Sequence, residues 1–110
     1  MTETRSDEAL VALAQSGDET ASDELIARFA PVVRYLARPY FLAGGDAEDL
    51  VQEGMIGLVK ACRSFDAARE TSFKTYASAC IKSKLLSALR NAHRKKHDPL
   101  NQYISLEAPF

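Results

Sequence analysis

The residues best suited to recognising a ligand lie along one side of a helical pattern near the end of the chain. Projected at about 100° per residue, residues 73–96 place an aromatic ring, small or hydroxyl side chains and cations on one face. Its members are Tyr76, Ala79, Ser83, Ser87, Arg90 and Arg94, with Lys82 beside them. Small residues let a nucleic-acid backbone approach, arginines bind phosphates, and Tyr76 can stack on a base, a contact worth about 1–3 kcal/mol. The pattern suits nucleic acid; a solvated helix face with one surface tyrosine is the alternative.

The end of the same helix is densely basic. Arg94, Lys95 and Lys96 are flanked by His93 and His97. The two histidines are four residues apart, as metal ligands can be, but they lack a third ligand and lie among cations that would repel a metal ion. We therefore predict neither a metal site nor a cofactor.

A second exposed line runs along the preceding helical pattern. It consists of Asp49, Gln52, Glu53, Ile56, Lys60 and Arg63. An acidic and amide patch around one exposed isoleucine suits a basic partner helix, although ordinary solvated surface explains it equally well. The sequence contains no nucleophile–base pair, glycine-rich phosphate loop or coherent carboxylate pair, so we predict that the chain is not an enzyme.

Hydrophobic periodicity predicts the elements that must position these two lines: an all-α domain, a compact bundle of about four main helices. The first helix is predicted from Ser6 to Ser16, with Ser6 as its cap and Gly17 as its breaker. The second is predicted from about Thr20 to Leu36. Pro31 should kink or divide this second helix, and Pro39 should end the segment.

The third and fourth helices are predicted to form the functional core of the domain. Asp46 should open the third, and the fourth should extend from about Phe73 to Lys96, where Pro99 stops it. Residues 66–72 are predicted to be the loop between them. The third helix carries a smooth stripe that another helix could approach closely, formed by Gly54, Gly57 and Ala61. The predicted core stripe of the fourth is Phe73, Ala77, Cys80, Ile81, Leu85, Ala88 and Ala92.

The charges are divided unequally along the chain. Its formal net charge is only −1. Residues 1–53, however, contain eleven acidic and four basic residues, whereas residues 54–97 contain ten basic and two acidic residues. This asymmetry predicts a polyanion bound to the basic half, with attraction between the two halves of the fold as the alternative.

The remaining composition places the protein in a cellular class. No apolar run is long enough to cross a membrane, and the first residues lack the order of a signal peptide, so we predict a cytoplasmic protein. Cys62 and Cys80 lie inside helical patterns rather than in a CxxC pair, which predicts two buried, reduced thiols.

Residues 49–101 resemble a known family. The segment DLVQEGMIGLVKA, from Asp49, looks like the core-binding signature in conserved region 2 of sigma-70-family factors. The segment FKTYASACIKSKL, from Phe73, looks like the promoter-melting segment of that region. The closing RKKHDPLNQYISL is similar to the sporulation sigma-H-type subgroup. The resemblance covers Asp46 to about Leu106 well and the helix from Thr20 to Phe41 more loosely.

The resemblance implies two partners: the clamp helices of the largest subunit of core RNA polymerase, and the non-template strand of the promoter minus-ten element. An anti-sigma protein is a further candidate. The residues implied to bind polymerase are Asp49, Gln52, Glu53 and Ile56. Those implied to separate the strands are Phe73, Thr75 and Tyr76, and those implied to read the upstream edge of the element are Ser83, Leu86 and Ser87. We expect Ala79 to lie on the same DNA-binding face, and we expect the phosphates to be held by Lys82, Lys84, Arg90, Arg94, Lys95 and Lys96.

The chain departs from the family pattern in two ways. Primary sigma factors carry a tryptophan pair where this chain has Ala79-Cys80, and the chain has no tryptophan at all; losing two stacking platforms should weaken unaided melting. No second helix-turn-helix domain follows Phe110. We therefore interpret residues 1–98 as a region 2 domain and residues 99–110 as the start of a linker, in a fragment.

The sequence thus predicts a sigma factor domain that binds core RNA polymerase and recognises and melts the minus-ten element. The alternative is a helical adaptor that occupies the polymerase clamp without opening DNA. The basic face of the last helix separates the two hypotheses, because an adaptor has no need of it.

Overall fold

Four helices account for the regular structure in the described part of the chain. The computed structural model describes the backbone of residues 5–42 and 47–104 and the side chains of residues 5–41 and 48–91. The helices are α1 (Asp7–Gln15), α2 (Glu19–Leu42), α3 (Ala47–Ser64) and α4 (Phe73–Ile104). The all-α prediction is confirmed, as is the loop between α3 and α4. The predicted cap Asp46 lies outside the described residues.

The chain reverses direction between α1 and α2 through paired capping motifs. The Ser6 hydroxyl accepts a hydrogen bond from the backbone N–H of Ala9 at 3.0 Å, which confirms the predicted N-cap of α1. At the other end, Gly17 has a φ of 105°, in the left-handed region that favours glycine. The N–H groups of Gly17 and Asp18 bond back into the last turn of α1, forming a Schellman motif. Asp18 then caps α2 by accepting from the N–H of Ala21 at 3.1 Å.

The predictions that Pro31 would divide α2 and that Pro39 and Pro99 would end their helices are wrong, and a kink at Pro31 stays a prediction. α2 continues through Pro31 and Pro39 to Leu42, and the backbone of α4 continues through Pro99 to Ile104. A proline has a helical φ, but it removes one N–H donor from the ladder and its ring crowds the carbonyl of residue i−4, at a cost of about 3 kcal/mol. Pro31 and Pro39 both lie on the exposed side of α2, where water can bond to a carbonyl left without its helical partner. The predicted boundary at residues 98 and 99 therefore falls inside α4, and the division into a domain and a linker stays a prediction.

The hydrophobic core is assembled around α4. Phe73, the first residue of that helix, is fully buried and meets the rings of Phe29 and Phe65 edge-on, with centroids 5.3 and 5.4 Å away. Such edge-to-face pairs add about 0.5–1.5 kcal/mol to the burial of each ring. The buried side chains come from all four helices and, at Phe65, from the start of the α3–α4 loop. They are Leu10, Val11, Ala21, Leu25, Phe29, Val33, Ala37, Leu50, Leu58, Ala61, Cys62, Phe65, Phe73, Ala77, Ile81 and Leu85.

Glycines allow α3 to pack closely against α2 and α4, as the smooth stripe predicted. A Cβ atom on Gly57 would lie 2.8 Å from the carbonyl oxygen of Cys80, and one on Gly54 would lie 2.6 Å from a methyl carbon of Val33. Real Cβ atoms essentially never approach other atoms so closely. The contact at Gly57 is against backbone, which cannot rotate away, so this glycine fixes the distance between α3 and α4.

Side chains of α1 form hydrogen bonds to both ends of the α3–α4 loop. The Gln15 side-chain amide donates to the carbonyl oxygens of Cys62 and Phe65, both at 2.9 Å, and so satisfies acceptors at the end of α3. The Glu8 carboxylate accepts from the backbone N–H of Phe73 at 2.7 Å, at the start of α4. These bonds join residues 47 to 65 positions apart in sequence. The first helix therefore sets where α4 begins.

Removing the Glu8 contact should lower stability measurably. We expect Glu8→Ala to reduce the free energy of unfolding by about 1 kcal/mol, because α4 loses an acceptor that caps its first turn. Glu8→Gln retains an oxygen acceptor and should lose less. Urea titration followed by circular dichroism measures both, with Glu70→Ala in the exposed loop as the matched control. A loss for Glu8→Ala no larger than that of the control would contradict the capping role.

Candidate nucleic-acid interface

The two sides of α4 differ as the helical projection predicted. Phe73, Ala77, Ile81 and Leu85 are 0% exposed, while Cys80 and Ala88 are half-buried against the same core. On the opposite side the exposed residues are Ala79, Lys82, Ser83, Leu86, Ser87 and Arg90. The predicted core stripe is thus confirmed up to Ala88, and the side chain of Ala92 lies outside the described residues.

Tyr76 lies at the edge of this exposed face and is held in place. Its ring is half-buried, 5.6 Å from the ring of Phe65. Its hydroxyl lies 2.6 Å from the hydroxyl oxygen of Ser64. Ser64 also donates to the carbonyl oxygen of Lys60 at 2.8 Å, and because a serine has one proton to give, it accepts from Tyr76. The tyrosine is preorganised, but only part of its ring is open to a base.

The other strand-separation residues occupy different environments. Thr75 is exposed and helps to cap α4: its N–H donates to the hydroxyl of Ser72 at 3.1 Å, and its own hydroxyl accepts from Ser72 at 3.0 Å. Phe73 is fully buried. The structure therefore places Phe73 in the core beneath the exposed face, where it supports Tyr76 through the shared contact with Phe65.

The charged residues of α4 are all basic up to His97. Residues 73–97 contain no acidic residue. Lys82 and Arg90 are exposed, whereas Lys84 is half-buried and its ammonium lies 3.4 Å from the Glu53 carboxylate on α3. The side chains of the remaining predicted phosphate-binding residues lie outside the described residues: Arg94, Lys95 and Lys96.

The predicted polymerase-binding residues share one side of α3, except that Glu53 is turned towards α4. Asp49 and Gln52 are exposed, and Ile56 has 45% of its surface exposed. Glu53 is half-buried in the ion pair with Lys84. One salt bridge thus connects the two predicted binding surfaces.

Two contacts at the site had no signal in the sequence. Ser64 meets Tyr76 across the loop, and Glu53 meets Lys84 across the α3–α4 interface. Neither pair has a helical spacing that would bring it together within one element, so only the packing of the two helices reveals them.

The cysteines are both free thiols, as predicted, but only one of them is buried. Cys62 is 6% exposed, and this burial raises the pKa of its thiol, so the thiol is protonated and unreactive at neutral pH. Cys80 is half-buried on α4, which corrects the prediction of two buried thiols. Within the described residues, no cluster of three or more potential metal ligands occurs. The side chains of His93 and His97 are not among those residues.

Comparison with known proteins identifies the arrangement. The Sigma-70 region 2 profile matches residues 25–95, which is more than half of the chain and includes α3 and the basic face of α4. The chain belongs to the sigma-70 region 2 family. The match confirms the resemblance seen in the sequence. The matched residues begin within α2, so α1 lies outside them.

Relatives within this family extend the similarity along nearly the whole chain. The RNA polymerase sigma-H factors of Bacillus licheniformis and Bacillus subtilis are each 48% identical over 104 residues, which cover 94% of this chain. The same residues cover 47% and 48% of those two proteins, so the chain spans about half the length of these relatives.

A solved structure shares the region 2 fold. It is an NMR structure of an engineered region 2 of sigmaE in complex with GTAAAA, with a TM-score of 0.70 and 32% sequence identity. The match covers 86% of this chain and 97% of that one. In the described part of this region 2 chain, no helix has both the length and the apolar character that a membrane crossing requires.

Proposed function

We propose that this region 2 chain is the part of a sigma factor that binds core RNA polymerase and recognises and melts the promoter minus-ten element. The observation that carries the proposal is the exposed face of α4, where small and hydroxyl side chains and cations lie together: Ala79, Lys82, Ser83, Ser87 and Arg90. The similar region 2 structure of sigmaE in complex with GTAAAA supports DNA as the ligand of this family's fold. Such a factor acts on the polymerase in the cytoplasm and catalyses no reaction itself.

The proposed mechanism of strand opening is differential binding. Arg90 and Lys82, with Arg94, Lys95 and Lys96 further along α4, hold phosphates and orient the helix on the DNA. Tyr76 then takes an unpaired base, aided by Thr75, while Ser83, Leu86 and Ser87 contact base edges upstream. Unstacking a base costs a few kcal/mol, and stacking on an aromatic side chain returns about 1–3 kcal/mol. Opening occurs because the protein holds the single strand more tightly than the duplex.

The proposed polymerase contact uses the exposed side of α3. Ile56 supplies an apolar anchor, and Asp49, Gln52 and Glu53 supply the acidic and amide groups around it. A complementary basic surface on the polymerase clamp is steered to such a patch and orients on it. The Glu53–Lys84 pair links this patch to α4, so polymerase and DNA would bind neighbouring surfaces of the domain.

Binding of single strands in preference to duplex tests the proposal directly. We expect this chain to bind randomised single-stranded DNA hexamers more tightly than the same sequences closed into hairpin duplexes. The affinity should fall as salt is raised, because binding releases the counterions of the contacted phosphates. Fluorescence anisotropy at several salt concentrations measures both. Equal affinity for single strands and duplexes, or no binding at low salt, would contradict the melting role and favour the adaptor that only occupies the clamp.

A further inference from the structure

The end of α3 is held by one side chain from α1. The Gln15 amide nitrogen has two N–H groups, and it donates to two backbone carbonyl oxygens at the end of α3, those of Cys62 and Phe65, each at 2.9 Å. Carbonyl groups in the last turn of a helix have no N–H partner within that helix. Gln15 therefore fixes the backbone that leads from α3 into the α3–α4 loop.

Gln15 is itself held in a defined place. It is the last residue of α1, and the turn after it is closed by a hydrogen bond from the N–H of Gly17 to the carbonyl oxygen of Ala14 at 3.0 Å. Near the other end of α1, the Asp7 carboxylate pairs with the Arg28 guanidinium on α2 at 2.9 Å. Both ends of α1 are anchored, which limits the positions that the Gln15 amide can take.

The residues that Gln15 fixes are the ones on which Tyr76 rests. The Tyr76 ring lies 5.6 Å from the ring of Phe65, and the Tyr76 hydroxyl donates to the hydroxyl oxygen of Ser64 at 2.6 Å. Ser64 and Phe65 are consecutive residues at the end of α3. A shift of this backbone would move both partners together, and the tyrosine ring would lose its fixed support.

α1 also holds the helix to which Tyr76 belongs. The Tyr76 N–H bonds to the carbonyl oxygen of Ser72 at 3.0 Å, within the first turn of α4. The N–H of Phe73 in that turn donates to the Glu8 carboxylate at 2.7 Å. Side chains of α1 therefore act on Tyr76 from two directions: Glu8 sets where its helix starts, and Gln15 sets the surface under its ring.

We propose that Gln15 is a positioning residue for strand separation, which holds the end of α3 so that the Tyr76 ring meets an unpaired base in one orientation. The proposal rests on the function proposed above and adds a residue of α1, which precedes the matched residues 25–95. Gln15 acts through Ser64 and Phe65 rather than by touching the base. A ring that is already ordered loses less conformational entropy when a base stacks on it, so binding is tighter.

Removing only the donor of Gln15 tests this role. Gln15→Met is the variant, because methionine has nearly the same length and volume but no N–H donor. The probe is the hexamer that the wild-type chain binds best from a randomised single-stranded pool. We expect its affinity to fall by about fivefold, because the ring must now be ordered on binding. The slope of affinity against salt concentration should stay unchanged, because no phosphate contact is lost. Fluorescence anisotropy measures both.

A matched control separates positioning from stability. Val51→Ala removes half-buried apolar atoms near the opposite end of α3, so it lowers the free energy of unfolding without changing the contacts of Gln15. Its affinity for the hexamer should equal that of the wild type. The NMR signals of the Tyr76 ring, assigned with Tyr76→Phe, should shift in Gln15→Met and stay in place in Val51→Ala.

Three results would overturn the positioning role while leaving single-strand binding intact. They are wild-type affinity of Gln15→Met, unchanged ring signals of Tyr76 in that variant, and an equal loss of affinity in Gln15→Met and Val51→Ala. Absence of a single-strand preference in the wild-type chain would instead overturn the function on which the role of Gln15 rests.

Discussion

Replacing both Tyr76 and Arg90 by alanine is expected to abolish promoter opening and to leave polymerase binding intact. Tyr76 supplies the aromatic surface nearest to the exposed face of α4, and Arg90 supplies an exposed cation on that face. Loss of stacking alone costs about 1–3 kcal/mol per base, which is a factor of about 5 to 150 in the opening equilibrium. Loss of a phosphate contact adds to this, so the open complex should become undetectable.

The experiment is in vitro transcription with core polymerase, combined with permanganate reactivity of unpaired thymines in the promoter. Tyr76→Phe is the informative single variant, because it keeps the ring and removes only the hydroxyl that bonds to Ser64. It should retain most of the opening activity. Arg34→Ala, on α2, controls for the loss of one positive charge. Normal permanganate reactivity in the double variant would disprove the proposed DNA-binding role of α4.

The fold must survive the double variant for this result to be interpreted. Tyr76 packs 5.6 Å from the ring of Phe65, so its removal also costs some stability. Unchanged affinity for core polymerase is the internal check, since that surface lies on α3. If the double variant loses both activities, a second pair of variants is compared: Tyr76→Phe alone, and Tyr76→Phe together with Arg90→Ala. Because both keep the ring that packs on Phe65, the difference between them reports the DNA contact of Arg90.

Reversing the charge of Glu53 is expected to have the largest effect on polymerase binding. We expect Glu53→Arg to weaken the affinity for core polymerase by about 2 kcal/mol or more, roughly 30-fold, because a cation would face the basic surface proposed for the clamp. Biolayer interferometry with immobilised core polymerase measures the change. Normal retention of the variant would remove Glu53 from the proposed interface.

The ion pair between Glu53 and Lys84 requires a matched control. Glu53→Arg also places two cations side by side between α3 and α4, which could alter the fold rather than the interface. Lys84→Gln breaks the same pair without changing α3, and a half-exposed pair contributes only about 0–1 kcal/mol to stability. The charge swap Glu53→Arg with Lys84→Glu restores the attraction across the helices. If polymerase binding recovers in the swap, the ion pair and not the interface explains the loss.

Much of the architecture was predictable because the buried side of a helix depends on the spacing of apolar residues within that helix. The core stripe of α4 follows from residues three and four positions apart, and the caps at Ser6 and Gly17 follow from the chemistry of those single residues. The family could also be identified, since its motifs are continuous segments in α3 and α4. The proline predictions failed because the cost of an interior proline, about 3 kcal/mol, is smaller than the gain from burying Leu25, Phe29 and Val33 on one uninterrupted stripe.

The sequence by itself determined which helical segments are amphipathic, which helix is basic and which family the chain belongs to. Each of these properties depends only on residues close together along the chain. The tertiary structure alone decided which functional groups meet. Glu8 reaches Phe73 across 65 residues, and Glu53 reaches Lys84 from a different helix. Such pairs depend on where the helices cross and how closely they approach. Backbone contacts, such as that of Gly57 with Cys80, set this distance.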